Sequence, residues 1–272
     1  MQKLLRKVLR AVAEYDPTYY DMYDDPNEAF FARVYLERIT RHLALAHIEP
    51  PARILDAGCQ AGRLAIPLAQ RGFQVTGVDT SRFALTRARR HAAAVGVRVH
   101  WQRGDVPALL RRSRRRGYDA IVCAEVVYLQ RRYRDFLASL ARALRPGGLL
   151  FVSHRPRLYY FVEALRHHDL ATARLVLKAQ EGQLGGLVPG RGYYNWHTEE
   201  QLRQLYSDLG LRWISVYPID QFAWLSRMNP SRLTREQQEA WLQLELQSAN
   251  SAATCGRYAL VVAEQPVVPP DR

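Results

Sequence analysis

The 272 residues carry 39 basic against 26 acidic side chains, a formal net charge of +13, with 48% hydrophobic content. That content is enough to build a core, and it excludes a disordered or fibrous chain; the three cysteines, Cys59, Cys123 and Cys255, lie too far apart for a disulfide scaffold or a paired zinc site. No apolar run reaches the roughly 18 residues of a membrane span, and Lys3, Arg6, Lys7 and Arg10 break up the amino terminus, so neither a transmembrane helix nor a cleaved signal is expected and the cytoplasm is the default setting.

In chain order, Leu4, Leu5, Val8, Leu9 and Val12 share one face of an amphipathic helix, read as packing on its own domain with a membrane surface or partner as the alternative. A segment rich in tyrosine and acid follows at 15–26, including Tyr19, Tyr20 and Tyr23. Residues 28–47 carry Phe31, Val34, Tyr35, Ile39 and Leu43 at helical spacing and stop before Pro50 and Pro51. A strand at 53–56 then ends in Asp56, Ala57, Gly58, Cys59, Gln60, Ala61 and Gly62, and an apolar-periodic helix is expected at 63–71. Gly58 and Gly62 would let backbone N–H groups approach a ligand closely. A dinucleotide fingerprint would need glycine at 60 and 63, where the chain has Gln60 and Arg63, and a phosphate loop is absent too. Asp56, just ahead of the turn, repels a pyrophosphate and suits a cofactor that brings a cation.

Here the chain resembles the class I S-adenosylmethionine-dependent methyltransferases, whose first motif is an acid, one residue, then G-x-G-x-G. Gln60 stands at the middle glycine and puts a side chain near the methionine end of the cofactor that the family usually omits. Tyrosine segments like 15–26 precede the core in many small-molecule members and close over the cofactor; a surface loop is the alternative. Asp79 ends a second strand at 73–79, about 20 residues past the first glycine, where a carboxylate accepts hydrogen bonds from both ribose hydroxyls. Its alternative is to cap the helix at 82–95, which Thr80 or Ser81 could do instead. After a third strand at 98–102, the resemblance assigns Asp105 to the adenine amino group and the Val106 N–H to a ring nitrogen. The fourth strand, 118–124, is apolar on both faces, as in a parallel sheet, and makes Cys123 a buried small hydrophobe. Glu125 matches the segment lining the methionine end. Many relatives carry Leu-Glu-His where this chain has Val127, Tyr128 and Leu129, so no acid or histidine role transfers there. A helix at 133–144, Pro146, Gly147 and Gly148, and a strand at 149–153 complete the resemblance, which covers about residues 50–155.

Beyond Ser153 the chain departs from the pattern. An insertion at 154–197 contains helical stretches at 158–167 and 170–181 and a glycine-rich loop, and insertions here often form the acceptor pocket. Thr198 and Gln201 make a capping box, as do Thr234 and Gln237. Strands are expected at 212–219 and 257–263, the latter antiparallel between the fifth and sixth by the resemblance, with a loose tail at the end. The expected domain is single, 1–264, with a lid at 1–47, a cofactor-binding core at 50–153, the cap at 154–197 and the rest of the sheet at 198–264.

The fold expected is thus α/β: a doubly wound, seven-stranded, mostly parallel sheet with a helical cap. The activity implied is methyl transfer from S-adenosylmethionine by in-line displacement to a small-molecule acceptor, with RNA as an alternative acceptor and a non-catalytic interaction protein as a third reading. Asp56, Ala57, Gly58, Gly62, Asp79, Thr80, Asp105, Val106 and Glu125 would hold the cofactor. Tyr20 and Tyr23 would form one acceptor wall, and Tyr193 and Tyr194, beside Asn195 and Trp196, the other. His197 would take the acceptor proton, with His154 as rival and local packing beside Thr198 as the bland alternative. No His, Asp or Glu cluster at ligand spacing suggests a metal.

The basic run Arg111, Arg112, Ser113, Arg114, Arg115 and Arg116 reads as a solvated loop, with a phosphate-binding patch as the alternative. Neutralising four of its arginines leaves turnover unchanged if the acceptor is small. With an RNA acceptor the same change lowers affinity and flattens the salt dependence by roughly 0.7 to 0.9 per lost phosphate contact, which filter binding at several salt concentrations reads directly.

Overall fold

The computed structural model describes residues 22–23, 25–112, 117–184, 187, 192–247 and 255–267. The expected helix at 4–12, Tyr19 and Tyr20, residues 113–116 of the basic run and most of the glycine-rich loop lie outside these.

Helix α1 (Pro26–Leu45) starts where Asp25 accepts the N–H groups of Asn27 and Glu28 and proline occupies the first turn. Strand β1 (Arg53–Ala57) leads through the glycine turn to α2 (Ala65–Gln70). The succession continues β2 (Gln74–Asp79), α3 (Arg82–Ala94), β3 (His100–Arg103), α4 (Val106–Arg112), β4 (Tyr118–Cys123), α5 (Tyr133–Ala143) and β5 (Leu144–His154). Strand five starts earlier than expected, because Arg145 to Gly148 form a bulge: Tyr118 pairs with Leu144, but Ala120 with Leu149. Residues 154–197 contribute α6 (Arg157–Arg166), α7 (Leu170–Lys178) and a two-stranded ribbon, β6 (Glu181–Gly182) with β7 (Tyr194–Asn195). Then come α8 (Glu199–Asp208), β8 (Arg212–Ile219), the short α9 (Phe222–Ser226), α10 (Arg235–Gln247) and β9 (Tyr258–Glu264). Both capping boxes form.

The strand order is β3-β2-β1-β4-β5-β9-β8, parallel except for β9, which runs antiparallel to both β5 and β8. Helices cover both faces. Ile54, Leu149, Phe151, Leu260 and Val262 point toward α1, Tyr160 of α6 and Val176 of α7; Leu55, Leu150, Val152, Val261 and Ala263 point toward α5 and α8. The chain winds outward from β1 to β3 and returns to β4, so the crevice between the carboxyl ends of β1 and β4 is the switch point where such sheets bind ligands.

The turn leaving β1 itself needs glycine at both positions. Gly58 (φ +86°) and Gly62 (φ +91°) occupy the left-handed region, and the space a Cβ would fill is taken by the protein itself. At Gly58 a Cβ would sit 2.2 Å from Val126 Cγ2; at Gly62 it would meet Ile66 and the Trp101 ring at 2.8 and 2.9 Å. The glycines let the turn pack down on β3 and on the segment after β4. Gly58→Ala should destabilise by about 2 to 5 kcal/mol, from the left-handed conformation together with overpacking. Adding Val126→Ala should recover the packing part; urea melts of the single and double variants check both.

Candidate active site

Three carboxylates stand at the carboxyl ends of three neighbouring strands: Asp56 on β1, Asp79 on β2 and Asp105 just past β3. Asp79 is half-buried. Its Oδ2 accepts the Gln60 N–H (2.9 Å) and its Oδ1 the Ser81 N–H (2.8 Å), so it ties the glycine turn to the start of α3. Capping of α3 falls to Ser81, whose hydroxyl accepts the Ala84 N–H, and Thr80 is exposed beside it. Asp105 is exposed and spends one oxygen on the Ala108 N–H at the start of α4, whose first residue is Val106. Asp56 is 3% exposed, and burial pushes its carboxyl up to about 7 against the opposing pull of Arg63 and of the Ala65 N–H.

Gln60, also left-handed at φ +44°, connects this turn to the segment before α1: its Oε1 accepts the N–H of Met22 (3.2 Å) and of Ala61 (3.3 Å). Tyr23 stacks on His91 of α3, ring centroids 4.1 Å apart. The described part of the tyrosine segment is therefore tied to the glycine turn by the Gln60 side chain.

The feature that sequence reasoning missed is a buried polar chain. Arg63, 7% exposed, bonds Glu28 of α1 and, at 2.7 Å, Glu125 Oε1. Glu125 Oε2 accepts the Tyr258 hydroxyl proton (2.8 Å), and Tyr258 in turn accepts from Arg155 Nη2 (2.9 Å). Burial pushes the Glu125 carboxyl up, but Arg63 and Tyr258 outweigh it and leave it below its ordinary value. Glu125 sits at φ +62°, its N–H donated to Ser153 Oγ (2.6 Å). Arg155 lies within a cage of tyrosines, its guanidinium carbon 3.9 Å from the Tyr258 ring centre, 4.4 Å from Tyr159 and 4.8 Å from Tyr128. Arg63 was the available signal: a cation opening an otherwise apolar stretch must find a partner.

The two histidines expected to act as bases are both buried. His154 shares the alternation of Leu150 and Val152, so it faces α8, where its Nε2 lies 2.9 Å from the Tyr206 hydroxyl; it is fully buried, and burial holds its pKa well below the usual value. His197 is 2% exposed, edge-on to Tyr133 and His154 at 5.1 and 6.0 Å, and neither of its ring nitrogens has a hydrogen-bond partner among the described residues. Burial, then Arg134, lowers its pKa to about 4. Local packing, the alternative given for His197, accounts for its surroundings. The two tyrosines expected to form one acceptor wall lie apart: Tyr194 is buried, stacked on Tyr128 at 6.3 Å, whereas Tyr193, just before the ribbon, donates to Glu181. Tyr20 is outside the described residues. Among those residues no group of three or more His, Cys, Asp or Glu could hold a metal ion, and no helix is long and apolar enough to cross a membrane.

This combination of sheet order and acidic strand ends defines a class. Residues 54–148 match the methyltransferase domain family, so this part of the chain is a methyltransferase domain. Its curated relatives include the ubiquinone biosynthesis O-methyltransferase of Sinorhizobium medicae, 33% identical over 142 residues (52% of each chain), and that of Rickettsia canadensis, 29% identical over 119 residues (43% of this chain, 48% of the other). The matched segment spans about half the length of these relatives. Among solved structures, the magnesium protoporphyrin IX methyltransferase of Synechocystis superposes with a TM-score of 0.56 at 18% identity, covering 96% of this chain and 94% of the other. A 4+2 cyclase superposes with a TM-score of 0.53 at 19% identity, covering 85% and 81%, so the fold by itself does not fix the reaction.

Between about pH 4 and 6.5 an unfolded His197 takes up a proton that the folded one refuses, so its contribution lowers stability as pH falls through that window; the raised carboxyls of Asp56 and Asp220 act in the opposite sense. On acidification from pH 7 to 4.5, the parent should therefore lose up to about 3 kcal/mol more stability than His197→Gln. Equal losses in urea melts at the two pH values would exclude a neutral, buried His197.

Proposed function

We propose that the protein transfers a methyl group from S-adenosylmethionine to a small-molecule acceptor, working in the cytoplasm. The observation that carries this reading is the set of three carboxylates on adjacent strand ends, Asp56, Asp79 and Asp105. As acidic acceptors they suit a cationic cofactor with hydroxyl and amino donors and disfavour a pyrophosphate. We read residues 1–264 as one domain in which 154–197 caps the acceptor side.

Each residue then has a task that its own chemistry sets. Asp79 still has lone pairs beyond those used by Gln60 and Ser81, and these would hold the two ribose hydroxyls, with Thr80 alongside. Asp105 would take the adenine amino group. The Val106 N–H, at the first position of α4 and so without an intrahelical acceptor, would meet a ring nitrogen. Asp56, Ala57, Gly58 and Gly62 would shape the methionine end, with Gln60 holding the segment before α1 over it. Glu125 would act at one remove, fixing Arg63 and Tyr258 beneath the site rather than touching the cofactor. When bound, S-adenosylmethionine supplies a methyl group already activated on a sulfonium. What remains for the protein is to align the acceptor, and orientation of two reactants is worth about 7 to 11 kcal/mol in favourable systems.

Asp79→Ala should weaken S-adenosylhomocysteine binding at least about tenfold, since each charge-assisted hydrogen bond contributes roughly 1.5 to 3 kcal/mol. Calorimetry on the folded variant tests the assignment, and unchanged affinity would remove Asp79 from the site. Parent protein that binds NAD but not S-adenosylhomocysteine would overturn the whole reading.

A further inference from the structure

A cavity of about 560 Å³ opens between α1, α6 and the segment after β8. Phe31, Tyr159 and Trp224 give it aromatic walls, and Arg166, Arg227 and Arg257 bring three guanidinium groups to its lining. Two carboxylates answer them. Glu163 is shared between Arg166 Nη1 (2.6 Å) and the Trp224 indole N–H (2.8 Å), while Asp220 lies 3.5 Å from Arg257 and is pushed by burial up to about 7. The balance in the cavity is cationic. Asp220 and Arg227 both hold left-handed backbone, φ +56° and +55°, so the segment that carries them is bent into place at a conformational cost.

The cavity adjoins the crevice through shared elements. Asn27 and Phe31 of α1 line it, and Glu28 between them bonds Arg63 beside the glycine turn. Tyr159 lines it and packs its ring on Arg155, which leads through Tyr258 to Glu125 at the end of β4. Arg155 Nη1 also donates to the Arg257 carbonyl (3.1 Å). Asp220 directly follows β8, three strand positions from β4, which at about 4.8 Å per strand puts it on the order of 14 Å from β4 across the sheet.

We propose that this cavity is the far half of the acceptor site, and that it selects an elongated acceptor whose aromatic body lies against Tyr159 and Trp224 and whose remote end carries an anionic group, a carboxylate or phosphate, held by Arg257 and Arg227. The proposal rests on the methyl-transfer reading above for what happens at the near end, but the binding of an aromatic anion here is testable without turnover. Aromatic walls supply apolar area, and a guanidinium fork is the geometry that recognises a carboxylate or phosphate.

The test uses the full chain with S-adenosylhomocysteine present and two probes of like shape, naphthoate and its neutral counterpart naphthalenemethanol, titrated by calorimetry. Naphthoate should bind at least about tenfold more tightly, as expected for one charge-assisted contact. Arg257→Gln should remove most of that preference and leave naphthalenemethanol and S-adenosylhomocysteine affinities unchanged. Because Arg257 also partners Asp220, Arg227→Asn provides a second variant: it removes a charge from an exposed position, and asparagine tolerates left-handed backbone. It should cut naphthoate affinity severalfold. Equal affinity for the two probes, or a naphthoate preference untouched by both substitutions, overturns the proposal. Parent protein that binds naphthoate but no S-adenosylhomocysteine would leave the cavity assignment standing and overturn the methyl-transfer reading instead.

Discussion

The buried guanidinium of Arg63 is the contact on which the arrangement of the crevice depends. It follows directly on Gly62, and its two carboxylate partners come from opposite sides, Glu28 from the first turn of α1 and Glu125 from the end of β4. Desolvating such a cluster is expensive, so its presence is not in itself a source of stability; removing one member, however, strands the others and typically costs about 3 to 5 kcal/mol. The geometry is therefore tightly specified. Arg63 cannot bond both acids unless α1, the glycine turn and the carboxyl end of β4 are all in register.

The same logic extends outward through Tyr258. Its hydroxyl gives its proton to Glu125 and accepts from Arg155, so β9, the antiparallel strand, is coupled to the end of β4 across β5. The tyrosines around Arg155 shield its charge. Polar groups here fix position, while the apolar clusters on the two sheet faces supply most of the favourable burial. This division suits a reaction that asks for alignment of two bound molecules more than for acid–base chemistry, and it accords with the two histidines lying neutral in the core.

The turn after β1 joins these parts. Its glycines let it settle on Val126, Ile66 and Trp101, its Gln60 N–H is held by Asp79, and the Gln60 side chain reaches the residues before α1. A residue that breaks the usual glycine pattern thus makes a contact 38 positions away. In the sequence Gln60 is only a departure from a motif.

The elements and their order were legible because local chemistry sets them: alternation and apolar runs for strands, capping residues at Thr198 and Thr234, and glycines where strand turns to helix. Asp79 and Asp105 could be located for the same reason, since a strand end followed by a turn places a carboxylate at the crevice whatever packs elsewhere. The alternation of His154 with Leu150 and Val152 already puts it on the face that α8 covers, and its hydroxyl partner there, Tyr206, is 52 positions away. Arg63 with Glu125, Arg155 with Tyr258 and the aromatic cavity with its three arginines were beyond the sequence. Those contacts join residues 62 and more positions apart, and only the order of the strands, fixed by burying both sheet faces at once, brings them together.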